Sequence, residues 1–208
     1  MKQIIKTSFA AGASLVVVAS LVVVPTFQAS AIGATTTITA TVVKGIGMTS
    51  SGAVGLSITP VVGGAVSSNS DTITTNTNSP TGYTLTISDS DATTTLANAG
   101  NNFAAMSPIT WGSAATLTSG KWGYAIASGT SGLTATSGFD ASYSAENSNA
   151  SSTSKWLGMA PLASPQTVRT TAAPAVNDVT TVWYAAKADL TQVPVAYTDI
   201  VNYTATAN

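Results

Sequence analysis

Residues 78–88 read Asn78-Ser79-Pro80-Thr81-Gly82-Tyr83-Thr84-Leu85-Thr86-Ile87-Ser88. The first five are turn formers: Asn and Ser bond their own backbone, Pro fixes φ, and Gly accepts backbone angles closed to other residues. From Tyr83 the pattern becomes strict alternation. Tyr83, Leu85 and Ile87 fall on one side, and Thr84, Thr86 and Ser88 on the other. A period of two belongs to a strand, and half-polar alternation to an antiparallel sheet with one face on a core. The stretch predicts a turn that feeds a half-buried strand.

The same pattern recurs on both sides of it. Ile38, Ala40 and Val42 alternate with Thr39 and Thr41, and Val54, Leu56 and Ile58 alternate with Gly55, Ser57 and Thr59 before Pro60. Asp71 to Thr77 is a Thr-rich strand candidate, and Trp122, Tyr124 and Ile126 form another. Two long β-rich runs, Val179 to Ala188 and Ala196 to Ala205, close the chain, with Tyr197, Val201, Tyr203 and Ala205 on one face. Residues 128–149, mostly Gly, Ser, Thr and Ala, read as loops around at most one short strand, and residues 145–154 as the most flexible part. No stretch after Ala31 carries a helical stripe with caps. Many short strands punctuated by Gly, Pro, Asn and Ser predict an all-β fold, an antiparallel β-sandwich in a single domain over residues 32–208. A barrel is the runner-up. A transmembrane barrel fits poorly, because it needs regular strands of about 10 residues and aromatic girdles.

The first 31 residues predict export. Lys2 and Lys6 precede an apolar run from Phe9 to Val24, Pro25 breaks it, and Ala29-Ser30-Ala31 supplies the small-x-small pattern of signal peptidase cleavage. The run is shorter than the roughly 20 residues of a comfortable membrane span. Cleavage after Ala31 is expected, leaving no membrane span. The absence of Cys excludes a lipid anchor, and the tail Tyr203 to Asn208 shows no sortase-type signal.

Composition narrows the chemistry. The chain has 208 residues, no His, no Cys, 7% charged residues and a formal net charge of -1. Without His it lacks the usual proton shuttle at neutral pH and the commonest metal ligand. Without Cys it has no thiol nucleophile and no disulfide. With no basic run or basic-aromatic patch, nucleic acid is not an expected partner. A hydrophobic content of 44% argues for a packed domain over a disordered stalk.

Tyr197-Thr198-Asp199-Ile200-Val201-Asn202-Tyr203-Thr204 resembles the last strand of secreted surface domains of Gram-positive type, of which the W-x-L cell-wall-binding family is the best known. Residues 78–86 are similar to a recurrent turn-and-strand block in small Thr-rich surface proteins of ultrasmall bacteria. The resemblance implies a β-rich module held noncovalently at a cell surface. Tyr203 and Ala205 stand where the W-x-L motif has Trp and Leu, and Trp156-Leu157-Gly158 does not restore it.

Candidate sites are few. The acids Asp71, Asp89, Asp91, Asp140, Glu146, Asp178, Asp189 and Asp199 mostly neighbour Ser, Asn or Thr, which favours turn-closing roles over a glycosidase pair. Ser has no His to activate it, and there is no G-x-S-x-G elbow. Asp89-Ser90-Asp91 offers two calcium-type oxygens, but a turn explains it without metal, so neither metal nor cofactor is expected. Trp111, Trp122 and Trp156, each beside or near Gly, would form a sugar-binding platform if exposed together, and Trp183 reads as structural. Lys44, Asp199 and Asn202 are the elements of a Lys–Asn crosslink between the first and last strands. The expected function is a noncatalytic secreted or cell-surface structural or adhesion protein, joining copies of itself or a cell-envelope component through strand edges. Residues 32–45 are the candidate donor strand, although pairing within their own domain is the plainer expectation. A carbohydrate- or peptidoglycan-binding module using the Trp residues is the alternative, and a secreted glycoside hydrolase comes third.

Overall fold

The computed structural model describes residues 35–107, 109–110, 113–126 and 155–208. The expected cleavage site at Ala29 and Ala31, Trp111 and the expected loops of residues 128–149 lie outside the described residues. Among the described residues there are eleven strands and no helix. In chain order they are β1 Ile46–Thr49, β2 Ala65–Thr77, β3 Tyr83–Asp89, β4 Thr95–Asn98, β5 Asn101–Ala105, β6 Ala115–Thr116, β7 Lys121–Ile126, β8 Lys155–Trp156, β9 Gln166–Thr170, β10 Ala175–Ala188 and β11 Val201–Ala207. The chain divides into two compact units, residues 1–41 and 42–208, and all eleven strands lie in the second.

A six-stranded sheet has the order β1-β2-β10-β7-β5-β4, a three-stranded sheet the order β11-β3-β9, and β6 pairs with β8 in a ribbon. Pairing is antiparallel except between β5 and β7. The larger sheet is therefore mixed, where antiparallel pairing alone was expected. The chain leaves β5 through a crossover that contains β6, so β7 returns alongside β5 in the same direction.

The turn at residues 78–82 forms as expected, with the Gly82 amide donating to Ser79 O at 3.0 Å. Gly82 has φ of 76°, and a Cβ there would collide with the Thr171 carbonyl, so both its backbone angle and its surroundings demand glycine. The turn does not make a hairpin. It carries the chain from β2 in the larger sheet to β3 in the smaller one.

Two predicted strands are absent. Residues 38–42 form no strand, and Ile38 and Val42 are 90% and 85% exposed; the first strand starts instead at Ile46. Residues 54–58 join no ladder either, yet Val54, Leu56 and Ile58 are half-buried against the core. They form a strap held to β2 by side chains: Asn69 Nδ2 donates to Gly55 O at 3.1 Å, and the Ser51 amide to Asp71 Oδ1 at 2.9 Å.

One core cluster draws on both sheets, with Tyr83, Leu85 and Ile87 from β3, Val168 from β9, Ile73 from β2, Trp122 and Tyr124 from β7, and Val182 and Tyr184 from β10. A second cluster holds Met106, Leu117, Ala125, Trp156, Trp183 and Ala185. Because alternate residues of β10 enter different clusters, this strand is buried on both faces, and its run Val182-Trp183-Tyr184-Ala185-Ala186 is apolar throughout. Among the described residues no helix is long and apolar enough to cross a membrane.

Candidate functional site

The inward-facing positions of β2 are Asp71, Ile73, Thr75 and Thr77. An acid in that phase must find partners inside the fold, because a buried unpaired charge is costly. Asp71 finds them in the Ser51 amide and in Ser51 Oγ, 2.5 Å from its Oδ1. It lies on the wall of a cavity of about 340 Å³, together with Trp122, Tyr184, Asp199 and Tyr203, and Leu56 of the strap adds apolar surface. β2, β7 and β10 of the larger sheet thus supply one side of the cavity, and β11 with its approach supplies another.

A chain of hydroxyls runs across this cavity. Tyr184 and Tyr203 share a hydrogen bond between their OH groups. Tyr203 is held far above the ordinary phenol range, first by burial, then by Tyr184, then by the charge of Asp71 and a hydrogen bond to it. Burial also raises Tyr184; its bond to Tyr203 pulls the other way, and the Asp71 charge adds to the rise. A carboxylate only accepts, so in the bond between Tyr203 and Asp71 the phenol is the donor. The Trp122 ring stacks over Tyr184 at 6.5 Å and 27°, and its Nε1 donates to Thr94 O at 3.1 Å.

A second acidic feature adjoins the cavity. The Asp199 carboxyl is pushed up to about 7, chiefly by burial, then by Asp89 and Asp91, against the pull of the Ile200 amide. Asp89 is fully buried. The Oδ2 atoms of Asp89 and Asp199 are both buried without a hydrogen-bond donor. A third polar cluster is structural in character. Arg169 grips Asp178 through Nε at 2.8 Å and Nη2 at 2.5 Å, and the buried Tyr83 hydroxyl donates to the same Asp178 Oδ2 at 2.7 Å.

Among the described residues the tryptophans do not assemble as a platform would need. Trp122 and Trp156 are buried in separate core clusters, so they share no exposed plane. Trp183 is buried, as its strand position implies. Gly158, near Trp156, answers packing: a Cβ there would collide with the Met106 carbonyl. The crosslink elements do not converge. Lys44 Nζ donates to Asn208 O at 2.7 Å, whereas Asn202 pairs with Ser88 at the other end of β11. Asp89-Ser90-Asp91 does form the expected turn: the Asp91 amide donates to Asp89 Oδ1 at 3.1 Å and the Thr93 amide to Asp91 Oδ1 at 2.5 Å.

Sequence reasoning missed that Asp71 and Asp199 reach one cavity and that Asp199 faces Asp89. The available signal was phase. Asp71 alternates in step with Ile73, and Asp199 in step with Val201 and Tyr203, so both were inward positions. No protein-family model, curated protein or solved structure matches the chain.

Proposed function

We propose that the chain is a noncatalytic, exported β-sandwich that serves as a cell-surface or extracellular structural or adhesion subunit, meeting copies of itself or a cell-envelope component through strand edges. The observation that carries this reading is the stretch of residues 35–45. It alternates apolar and Thr residues, forms no strand, and leaves Ile38, Val42 and Val43 exposed just ahead of edge strand β1. Such a segment gains by pairing with another chain's sheet, where main-chain bonds give affinity and alternate side chains find pockets. β1 and β9 are outer strands that offer acceptor edges, while β4 already bridges Thr198. The core cluster shared by the two sheets supports the sandwich architecture. Asp71, engaged by Ser51 and Tyr203, has the surroundings of a structural acid, which favours a noncatalytic role.

Electron microscopy and light scattering of the purified mature protein test this. Filaments or oligomers are expected, and removing residues 32–43 is expected to leave monomers. A wild-type chain that stays monomeric at high concentration overturns self-assembly.

A sugar-binding role keeps one supporting observation, the cavity lined by Trp122, Tyr184, Tyr203 and Asp71. Retention on cell-wall polysaccharide that is lost in Tyr203→Phe would favour it over strand exchange.

A further inference from the structure

In an antiparallel ladder alternate residues bond to the neighbouring strand, and those between turn their main-chain groups the other way. On β11 the even positions face β3, since the Asn208 amide donates to Gly82 O and the Ser90 amide to Ile200 O, both at 2.9 Å, at the two ends of the pairing. Val201, Tyr203, Ala205 and Ala207 therefore aim their amides and carbonyls at the free edge, where β11 has no partner strand among the described residues. Of the outer strands of the two larger sheets β11 is the longest, with seven residues against five in β9 and four each in β1 and β4. The other edges carry guards against pairing: irregularity, charge, shortness or cover. β9 skips Val168 in its register with β3 and carries Arg169. β1 is short and follows Lys44, and β4 bridges Thr198. β11 has no charge, proline or register shift between Val201 and Ala207.

We propose that residues 37–43 of a second copy add to this free edge of β11 and extend the smaller sheet by one strand; the inference rests on the strand-edge reading above and names its acceptor. The two stretches match in length and in pattern. β11 alternates inward Val201, Tyr203 and Ala205 with outward Asn202, Thr204 and Thr206, and the donor alternates Ile38, Ala40 and Val42 with Thr37, Thr39 and Thr41. Neither stretch carries a charge that pairing would have to desolvate. With its apolar side turned inward, the donor's threonines continue a hydroxyl surface already present. Thr204 stands opposite Thr86, which stands opposite Thr167, and Thr206, Thr84 and Thr170 form the second row. Cross-strand Thr pairs of this kind add to sheet stability. On the inward side, the cavity of about 340 Å³ lies between Val201 and Tyr203 of β11 and Val54 and Leu56 of the strap, and gives room to the donor's apolar side chains. The strap is tied to β2 by side chains at Ser51 and Gly55, so it can yield to an incoming strand without breaking a ladder. Donor and acceptor are different surfaces of one chain. The contact is therefore heterologous, and repeating it builds an open filament.

Because the chain has no Cys, introduced cysteines report this contact without background. Thr39, Thr49, Thr170, Thr204 and Thr206 are all exposed, so each single Cys variant is expected to fold. Thr39→Cys is mixed with each of the others at high concentration, oxidised, and run on nonreducing gels beside each variant alone. A shift from monomer to disulfide dimer is expected with Thr204→Cys or Thr206→Cys on β11, where the strands lie within disulfide reach. No dimer is expected with Thr170→Cys on β9 or Thr49→Cys on β1. The double variant Thr39→Cys, Thr204→Cys is expected to give a ladder of covalent multimers. Crosslinking through Thr170→Cys or Thr49→Cys instead keeps the strand-edge reading and overturns this edge. A double variant that closes into a covalent monomer at high dilution means that the segment pairs within its own chain, and overturns the exchange. A chain that stays monomeric by sedimentation and crosslinks in no mixture overturns both.

Discussion

β3 and residues 38–42 carry the same alternation of apolar and Thr residues, and the fold treats them oppositely. Tyr83, Leu85 and Ile87 are fully buried, with β11 on one side of their strand and β9 on the other. Ile38 and Val42 stand in solvent without a strand partner. Alternation makes a segment able to form a strand; a neighbouring edge and an opposing apolar face make it one. β3 gains both because the turn at Gly82 carries it into the smaller sheet, between β11 and β9, with its apolar face in the core cluster that the two sheets share. Residues 38–42 have neither within the described residues, which is the ground on which they are proposed as a donor strand.

Alkali offers the largest break between the two regions. Tyr124, Tyr184 and Tyr203 are all held well above the ordinary phenol value of 10.0, with burial the first cause in each. The unfolded chain loses these protons near pH 10 while the folded chain keeps them. The folded state then binds more protons, and stability falls as pH rises. Below pH 10 nothing is lost; above it, each tyrosine contributes a fall of about 1.4 kcal/mol per pH unit. Denaturant midpoints are expected to hold steady to pH 9 and to collapse between pH 10 and 12. Residues 38–42 contain no ionisable group and have no such transition of their own.

Truncating β3 comes next. Leu85→Ala removes a fully buried side chain from the shared core and is expected to cost about 3 kcal/mol by urea unfolding. Asp178→Ala is expected to cost about 2 kcal/mol, because it takes the acceptor from the buried Tyr83 hydroxyl and from the Arg169 fork. Asp178→Asn, which keeps an acceptor, should recover part of that loss.

The fold was legible where burial and period agreed. β3 and β7 fall on the predicted alternations to within a residue, β10 and β11 overlap the two β-rich runs that close the chain, and the Asn78–Gly82 turn is written in its residue types. Sheet membership was not legible. Nothing local tells Thr77 and Tyr83 that their strands belong to different sheets, since that depends on which distant strands, β10 and β11, arrive beside them. The strap shows the same limit: Val54, Leu56 and Ile58 kept their predicted apolar face but not a ladder, because side-chain packing can hold a segment that backbone pairing does not. The site was half legible. The inward phase of Asp71 and Asp199 could be read, but their meeting at one cavity depends on contacts 128 positions apart. Trp residues beside Gly read equally well as platform or core, and burial decided for core at Trp122 and Trp156.

The smallest expected effect on stability is the one that separates strand capacity from strand formation. The double variant Ile38→Ser, Val42→Ser removes the apolar face of an exposed segment, so monomer stability should change by less than about 0.5 kcal/mol. If the segment completes a neighbour's sheet, the same variant should nonetheless shift sedimentation from oligomer to monomer, because the exposed face supplies the side chains that an acceptor would bury. Equal changes on β3, in Leu85 and Ile87, would unfold the chain before any assembly could be measured. A loss of monomer stability comparable to that of Leu85→Ala would mean that residues 38–42 pack at home after all, and the contrast between the two alternating segments would collapse.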